Sequence, residues 1–400
     1  GIREMGERYR YNWNMPIRIS PHDASTILVA GNRFFKSTDQ GRTWMASADL
    51  TKTVDRTGLS IMGVMGSEYM TSKNDGQSTY GTATTLAESP SQPGVIWVGT
   101  DDGNVQVSMD GGATFTNVAP NIPGPSGYYQ VSRVEPSAFD PATCYVTLDN
   151  HRNEDWNPYV FVTHDFGETW ESITSNLPRG NVNVITEDPR NPNLLYLGTE
   201  FGLFVSLDRG GEWTRFQNGL PTVRVDDILV HPRENDLIVG THGRSIWIID
   251  DITPLQELTS QVMAGDAHLF TVRPAIQWKE NPQEDINLAG NRHFAGENPP
   301  EGTAISYYLP INLEGEVALT ITDLAGNPVR TLEGPGRRGI NRVQWDMRAD
   351  PPEPEGGQQQ RRRRMPPVDP GPYLVTMEVG GQTLVRSVVV LEDIWMGQGH

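Results

Sequence analysis

Adjacent acidic residues are the first candidates for chemistry in this chain. Four such pairs are candidates: Asp101 with Asp102, Glu154 with Asp155, Asp226 with Asp227, and Asp250 with Asp251. Glycosidases need two carboxylates that face each other across a cleft. Because the chain holds 50 acidic residues among 400, chance pairs are expected, and the favoured interpretation of each is a solvated turn. Asp226 and Asp227 are the strongest candidates because they precede an apolar strand, but no nucleophile can be named.

Aromatic and cationic side chains form a second group of candidates. Tyr128 and Tyr129 follow a loop rich in Pro and Gly, Trp156 lies in a polar insertion, and His242 and Arg244 flank a glycine. Exposed aromatic rings with polar neighbours suit stacking on a peptide or a sugar ring. The alternatives are packing between structural units for the aromatic residues and a structural hydrogen bond for the cations.

The pattern of His and Cys residues predicts no transition-metal site and no cofactor. The eight histidines show neither His-x-His nor His-Glu-x-x-His spacing. The turn at residues 101–104 has the oxygen-rich composition that calcium prefers, but it lacks the EF-hand frame, so a plain tight turn is favoured. The single cysteine, Cys144, lies in an apolar run and is predicted to be a buried small hydrophobe.

One pattern, [Ser/Thr]-x-Asp-x-Gly-x-[Thr/Glu]-aromatic, occurs four times along the chain. Glycine at the fifth position can take a positive φ, and the Ser/Thr and Asp side chains can bond backbone amides. The pattern therefore predicts a structural turn with a largely buried aromatic residue, remote from any ligand site. The four copies are Ser37, Asp39, Gly41, Trp44; Ser108, Asp110, Gly112, Phe115; Thr163, Asp165, Gly167, Trp170; and Ser206, Asp208, Gly210, Trp213.

A second landmark precedes each copy, namely a proline followed by an apolar run that usually ends in a small residue. The prolines are Pro21, Pro90, Pro141 and Pro189, and a fifth run from Pro232 has no complete box after it. Each unit contains short alternating or apolar stretches separated by turn residues, which indicates a four-stranded meander of about 40 to 50 residues. Residues 1–251 are therefore predicted to form about five β-propeller blades, the fifth degenerate.

The four copies resemble Asp-boxes, also called BNR repeats, of sialidases, xyloglucanases, sortilin-type receptors and photosystem-assembly propellers. The stretch at residues 240–251 resembles the closing blade of large bacterial secreted proteins of the sortilin-like or "glycosyl hydrolase" BNR-repeat family. The resemblance covers roughly residues 10–395. It implies a secreted, periplasmic or cell-surface protein that acts as a protein-binding or assembly module, with a xyloglucanase-like glycoside hydrolase as the alternative. A sialidase is disfavoured because Arg18 to Pro21 only approximates its motif.

Beyond the blades, the chain changes pattern twice. Residues 252–300 lose the blade pattern and are predicted to be a connector, and residues 301–395 return to alternating strands that predict a β-sandwich. That segment resembles the FlgD-like or fibronectin-like Ig module. A Pro/Gln/Arg-rich insertion at residues 351–370 includes Arg361 to Arg364 and is predicted to be disordered. A docking patch for an acidic partner is the alternative.

Charge and length limit the partners that we expect. A net charge of -18 disfavours nucleic acid and anionic membranes, and no apolar run is long enough to span a membrane. A protein or glycan ligand is expected instead. A propeller must close to hide its edge strands. Since the fifth repeat lacks its box and only a short polar segment precedes the first blade, we expect a second chain or an N-terminal fragment to complete the ring.

Overall fold

The computed structural model describes residues 9–70, 79–279, 298–351 and 365–394. The chain forms two compact units, one of residues 1–231 with 237–248 and the other of residues 232–236 with 249–400. Both are built mainly from short antiparallel strands, so the predicted all-β class is confirmed. Among the described residues, no helix is long and apolar enough to cross a membrane.

The first unit consists of five successive antiparallel meanders of the propeller-blade type, four with four strands and the last with three. A small hairpin of β5 and β6 lies between the first two in the chain. Blade 1 contains β1 (Ile17–Ile19), β2 (Ile27–Ala30), β3 (Arg33–Ser37) and β4 (Met45–Asp49), followed by β5 (Ser60–Ile61) and β6 (Val64–Met65); blade 2 contains β7 (Ala83–Glu88), β8 (Ile96–Thr100), β9 (Val105–Ser108) and β10 (Thr116–Asn117); blade 3 contains β11 (Gln130–Pro136), β12 (Cys144–Asp149), β13 (Tyr159–Thr163) and β14 (Glu171–Ser172); blade 4 contains β15 (Val182–Glu187), β16 (Leu195–Thr199), β17 (Gly202–Ser206) and β18 (Thr214–Phe216); blade 5 contains β19 (Val225–Val230), β20 (Leu237–Thr241) and β21 (Ile246–Ile249).

Consecutive blades pack through their first strands. Hydroxyl groups on the first strand of one blade donate to backbone carbonyls on the first strand of the next, as from Thr84 to Val131 (2.6 Å) and from Ser132 to Val182 (2.7 Å). Apolar side chains fill the space between blades; the cluster between blades 1 and 2, for example, includes Leu28. The blades therefore stack in chain order.

Glycines in the second strands let neighbouring blades approach closely. A Cβ at Gly99 of blade 2 would lie 2.4 Å from a methyl group of Val131, and one at Gly198 of blade 4 would lie 2.7 Å from a methyl group of Val225. At Gly240 of blade 5 the nearest atom to such a Cβ is the carbonyl oxygen of Asp227, 3.6 Å away in the same blade. Among the described residues, no neighbouring blade packs against the glycine of blade 5.

Because successive strands of a blade run in opposite directions, its turns fall on two faces. We call the face with the four boxes the box face, since each box joins the third and fourth strands. The turns between the second and third strands, together with the linkers between blades, lie on the opposite side, which we call the pocket face.

The second unit is a sandwich of two sheets around one core, beginning with two short helices. The sheet orders are β22-β24-β27 and β23-β29-β28-β25-β26, and core residues such as Trp345 and Val375 come from both sheets. Its elements are α1 (Thr253–Glu257), α2 (Ser260–Ala264), β22 (His268–Leu269), β23 (Ala275–Gln277), β24 (Thr303–Leu309), β25 (Val317–Thr322), β26 (Pro328–Gly334), β27 (Gly339–Trp345), β28 (Gly371–Val379) and β29 (Gln382–Glu392).

Two sequence-based expectations for this unit need correction. The predicted connector at residues 252–300 contributes β22 and β23 to the two sheets, and these strands are too short to produce a visible alternation. The alternation expected over residues 301–395 also missed β26, which begins with Pro328 and is an edge strand, where proline is tolerated. Most of the predicted insertion at residues 351–370, including Arg361 to Arg364, lies outside the described residues.

Candidate functional site

The four boxes form the same hydrogen-bonded turn. In the first, the Ser37 hydroxyl donates to Asp39 Oδ1 (2.8 Å) and accepts from the Gly41 amide (2.8 Å), while the Thr43 amide donates to Asp39 Oδ1 (2.9 Å). Hydrogen bonds from Thr43 and Ser37 lower the pKa of Asp39 to about 2. The same bonds recur at Asp110, Asp165 and Asp208.

The box aromatics are less uniformly buried than the sequence predicted. Trp213 is buried, whereas Trp44, Phe115 and Trp170 are half-buried. The difference arises because the Trp213 indole donates to the carbonyl of Ile173 in the preceding blade (2.9 Å). The indoles of Trp44 and Trp170 instead donate within their own turns.

A pocket of about 240 Å³ opens between blades 2 and 3 on the pocket face. Asp101 reaches it from the turn after β8, and Asp149 reaches it from the end of β12. Tyr128 and Tyr129, both sequence candidates, line it just before β11. The strand ends therefore bring acidic and aromatic side chains from two blades to one place.

Asp101 is buried in the wall of this pocket, with both carboxylate oxygens hydrogen-bonded. Its Oδ1 accepts from the amides of Gly81 (3.0 Å) and Thr82 (2.8 Å), and its Oδ2 accepts from the Thr82 hydroxyl (3.0 Å). Burial raises the pKa of Asp101 to about 6, against the lowering effect of the Thr82 amide and with a smaller contribution from Asp102. The carboxylate therefore joins the turn after β8 to the segment that precedes β7.

Asp149 has the opposite electrostatic balance. Burial alone would raise its pKa, but hydrogen bonds from His151, together with the charges of His151 and Arg152, lower it below the ordinary value. The His151 ring nitrogen Nδ1 lies 2.7 Å from Asp149 Oδ1, and the His151 amide donates to the same oxygen (3.0 Å). One pocket therefore contains a carboxyl group with a raised pKa and one with a lowered pKa.

Cations stack on the tyrosines around the pocket. The Arg56 guanidinium lies 4.6 Å from the centre of the Tyr80 ring, and Lys52 Nζ lies 5.2 Å from that of Tyr128. Tyr129 is buried and Tyr128 half-buried, so Tyr128 is the ring that a ligand can reach more readily. Cation–π contacts of this kind hold an aromatic surface in a fixed orientation.

Trp156 lies near this pocket but does not line it. Its indole tilts against the ring of His151, with 5.9 Å between the ring centres. Its backbone carbonyl accepts from the Gly180 amide (2.8 Å). The side chain is exposed.

Asp226 and His242 meet on the pocket face of blade 5. The His242 ring nitrogen Nδ1 lies 3.3 Å from Asp226 Oδ2, and Arg224 Nε donates to Asp226 Oδ1 (2.6 Å). Burial alone would lower the pKa of Arg224, but the hydrogen bond with Asp226 and the charges of Asp226, Glu200 and Asp149 raise it above the ordinary value. Arg244 does not join this cluster, since its guanidinium donates to the neighbouring Gly243 carbonyl.

Asp227 points away from Asp226 and forms an ion pair with Arg133 of blade 3. Glu135 lies on the same strand as Arg133, and burial raises its pKa to about 7. The charges of Arg133 and Arg18 lower that pKa, whereas those of Glu187 and Asp227 raise it further. First strands of four blades thus contribute one cluster of charges.

The sequence did not identify Tyr80, Asp149, Arg56 or Glu135 as site residues. Each is an isolated residue in the sequence. Arg56, Tyr80 and Asp149 reach the pocket from distant segments of the chain, and Glu135 belongs to the charge cluster around Arg133. The repeat itself contained a usable signal, because Asp101, Glu200 and His242 all follow a Gly-Thr at the end of a second strand.

The structure places protein donors around the turn that was considered for calcium. Asp102 accepts from the Thr100 hydroxyl (2.6 Å) and the Lys52 amide (2.7 Å). Within the described part of the chain, no group of three or more His, Cys, Asp or Glu side chains is placed to hold a metal ion. Cys144 is buried in blade 3, and burial raises the pKa of its thiol.

The five blades and their shared turns define the first unit as a β protein of the propeller type. Among solved structures, the chain is similar to a GH74 xyloglucanase from Xanthomonas campestris, with 14% identity over 92% of this chain and 50% of that one, at a TM-score of 0.44. It is also similar to a Niastella koreensis GH74 enzyme, with 19% identity over 62% of this chain and 46% of that one, at a TM-score of 0.39.

A third similar structure is YCF48 from Cyanidioschyzon merolae, with 16% identity over 47% of this chain and 66% of that one, at a TM-score of 0.29. This chain spans about half the length of the two GH74 structures. At these levels the similarities assign no activity to it. No protein-family model and no curated protein matches the chain.

Proposed function

We propose that this chain is an extracytoplasmic protein-binding module, in which the pocket between blades 2 and 3 receives one side chain of the ligand. The observation that carries the proposal is the convergence of Tyr128, Tyr80 and Arg56 on a pocket of about 240 Å³. Lys52, which does not line the pocket, stacks on the Tyr128 ring. That volume is below the size typical of whole small-molecule ligands. It suits one planar side chain lying against Tyr128.

The hydrogen bonds of the two pocket carboxylates favour recognition over proton transfer. Asp101 accepts three hydrogen bonds from Gly81 and Thr82, which precede β7, and the hydrogen bonds of Asp149 Oδ1 come from His151. A general acid must present its proton to the substrate. Both oxygens of Asp101 already accept hydrogen bonds, and the lowered pKa of Asp149 disfavours its protonated form.

The proposal is tested by selecting peptides on the wild-type chain and measuring their affinity for Tyr128→Ala. We expect loss of the ring to weaken the selected peptides about tenfold or more, since a buried aromatic contact of about 1.5 kcal/mol or more is removed. Tyr69→Ala is the matched control, because Tyr69 is 92% exposed and lies outside the pocket. Peptides that bind both variants as tightly as the wild type would contradict the proposal.

A glycoside hydrolase is the second candidate, and one observation favours it. Asp101 and Asp149 line the same pocket with pKa values shifted in opposite directions, which is the arrangement of an acid and a partner carboxylate. Release of reducing sugar from a polysaccharide panel that includes xyloglucan tests it. Hydrolysis would replace binding as the function if the wild type releases sugar, if Asp101→Asn and Asp149→Asn each abolish the release, and if Asp226→Asn remains active.

We also propose that a further blade-type sheet packs against the end of the stack of five blades and completes it. The outward side chains of the two end blades are apolar and exposed: Ile17 and Ile19 of β1 by 53% and 64%, and Ile246 and Ile248 of β21 by 66% and 58%. Large exposed apolar patches commonly mark interaction sites. The open space at Gly240 supports docking on blade 5, since the equivalent Gly198 is covered by the next blade.

The variant Gly240→Leu tests this assembly. The leucine side chain has room in the isolated chain but would fill the space that a docked blade needs. We therefore expect an unchanged melting temperature and loss of the complex, as measured by native mass spectrometry of material from the natural source. Gly243→Leu is unsuitable as a control because Gly243 has a φ of 83°. Thr241→Leu, one position along, is the matched control. A native complex that survives Gly240→Leu would contradict docking on blade 5.

A further inference from the structure

A second pocket, of about 380 Å³, lies on the box face between blades 3 and 4. Its floor is apolar and consists of Tyr145, Val162 and Ile173, all of which are buried. Asp208 of the fourth box and Glu171 of β14 stand among the polar residues that line it. Apolar walls and two carboxylates therefore share one cavity.

The fourth box leaves one carboxylate oxygen available, unlike the other three. In those, a threonine hydroxyl donates to the second oxygen of the Asp; the Thr169 hydroxyl lies 2.6 Å from Asp165 Oδ2, for example. The fourth box has Glu212 at that position, and only its amide bonds the carboxylate, at Oδ1. Among the described residues, no hydrogen bond reaches Asp208 Oδ2.

A second departure keeps the same oxygen accessible. The residue before Glu212 is Gly211, and a Cβ there would lie 2.7 Å from Asp208 Oδ2. The corresponding residues of the other boxes are Arg42, Ala113 and Glu168. The backbone at Gly211 does not have a positive φ, so its conformation does not require glycine. The missing side chain leaves space beside the oxygen.

Arg209 and His164 also line this pocket, and among the described residues neither forms a hydrogen bond with the Asp208 carboxylate. Burial raises the pKa of Glu187, and the Arg209 charge acts to lower it, so Arg209 is close enough to compensate Glu187. His164 Nδ1 lies 2.8 Å from the Thr143 hydroxyl. A ligand therefore meets the carboxylates of Asp208 and the exposed Glu171, which outnumber the single Arg209 guanidinium in the lining.

Hydrogen bonds between the blades fix the shape of the pocket. The Trp213 amide donates to Asn176 Oδ1 (2.8 Å), and the Ser175 hydroxyl donates to the Gly211 carbonyl (2.5 Å). Together with the bond from the Trp213 indole to Ile173, they attach the fourth box to blade 3. A ligand therefore meets a preformed cavity and loses less free energy in ordering it.

We propose that this pocket binds the side chain of a lysine on a partner protein. The methylene groups would pack on Tyr145 and Ile173, and the ammonium group would donate to Asp208 Oδ2 and approach Glu171. A compact ammonium group suits a single available oxygen, whereas a guanidinium group prefers both oxygens of a carboxylate. The site lies on the opposite face from the pocket between blades 2 and 3 and does not depend on it.

Binding is measured by NMR titration with the capped peptide Gly-Lys-Gly and with the same peptide containing norleucine or arginine. We expect the lysine peptide to bind most tightly. Loss of a charge-assisted hydrogen bond corresponds to about a tenfold change in affinity, which is the effect expected for Asp208→Asn. Asp110→Asn is the matched control, because no residue of its box lines the pocket and binding should be unchanged.

Glu212→Thr separates binding from structure. The threonine hydroxyl would bond Asp208 Oδ2 as in the other boxes, so the melting temperature should rise while the affinity for the lysine peptide falls. Glu212→Gln removes the same charge without a hydroxyl on Cβ and should weaken binding less. Equal affinity for the norleucine peptide, tighter binding of the arginine peptide, or unchanged binding by Glu212→Thr would each overturn the proposal.

Discussion

The glycines of the second strands give a sharp test of the blade arrangement. In Gly198→Ala, the new Cβ would lie 2.6 Å from Val184 Cγ1 and 2.9 Å from the carbonyl oxygen of Val225. The valine side chain can rotate, but the carbonyl belongs to a paired strand of blade 5 and cannot move without disturbing its ladder. In Gly240→Ala, the nearest atom is 3.6 Å away, which is an ordinary contact.

The magnitudes follow from two opposing effects. Overpacking of a core costs about 1 to 3 kcal/mol, and replacing glycine by alanine in an unstrained backbone gains about 0.4 to 1 kcal/mol through the unfolded state. Gly198→Ala should therefore lose about 1 to 2 kcal/mol of unfolding free energy, whereas Gly240→Ala should gain about 0.5 kcal/mol. At about 2 to 4 °C per kcal/mol for a unit of this size, the two melting temperatures should differ by several degrees.

Urea and thermal unfolding, followed by tryptophan fluorescence on the purified chain, supply the measurement. The second unit contains neither glycine and serves as an internal reference for sample quality. If Gly240→Ala destabilises the chain as much as Gly198→Ala does, then blade 5 is covered in the isolated chain. That result would refute both the predicted contrast and the docking surface assigned to blade 5.

Three further outcomes are expected. Because the pKa of Glu135 is raised from 4.5 to about 7, its contribution to stability is present below pH 4.5 and is lost as the pH rises through 7. Glu135→Gln should therefore be more stable than the wild type at pH 8, by about 1 kcal/mol after allowance for solvent screening. Equal stability in urea at pH 5 and pH 8 would contradict this. Thr169→Val removes the hydroxyl that donates to Asp165 Oδ2 (2.6 Å) and should cost about 0.5 to 1.5 kcal/mol in urea unfolding, with unchanged stability as the opposing result. Cys144 is fully buried with a raised thiol pKa, so it should resist a thiol reagent in the native chain and react when urea unfolds the chain. Rapid labelling of the native chain would show that blade 3 is open.

The sequence contained enough information to predict the blades and their turns. The box turn closes within seven residues, from Ser37 to Thr43, so its hydrogen bonds depend on neighbours in the chain. The all-β class follows from the same repetition of short strands and turns. Because the box residues bond to near neighbours in the chain, their spacing in the sequence was enough to predict the turns.

The tertiary structure decided where the pockets lie and which charges meet. Asp101 and Asp149 reach one pocket only because two second strands end side by side, and Arg133 meets Asp227 across 94 positions of sequence. Glu212 was visible in the repeat as a variant residue, yet its effect depends on Gly211 and on the attachment of the box to blade 3. Burial and pairing between distant strands set pKa values and cavities, and the pattern of residues along the chain does not encode those distances explicitly.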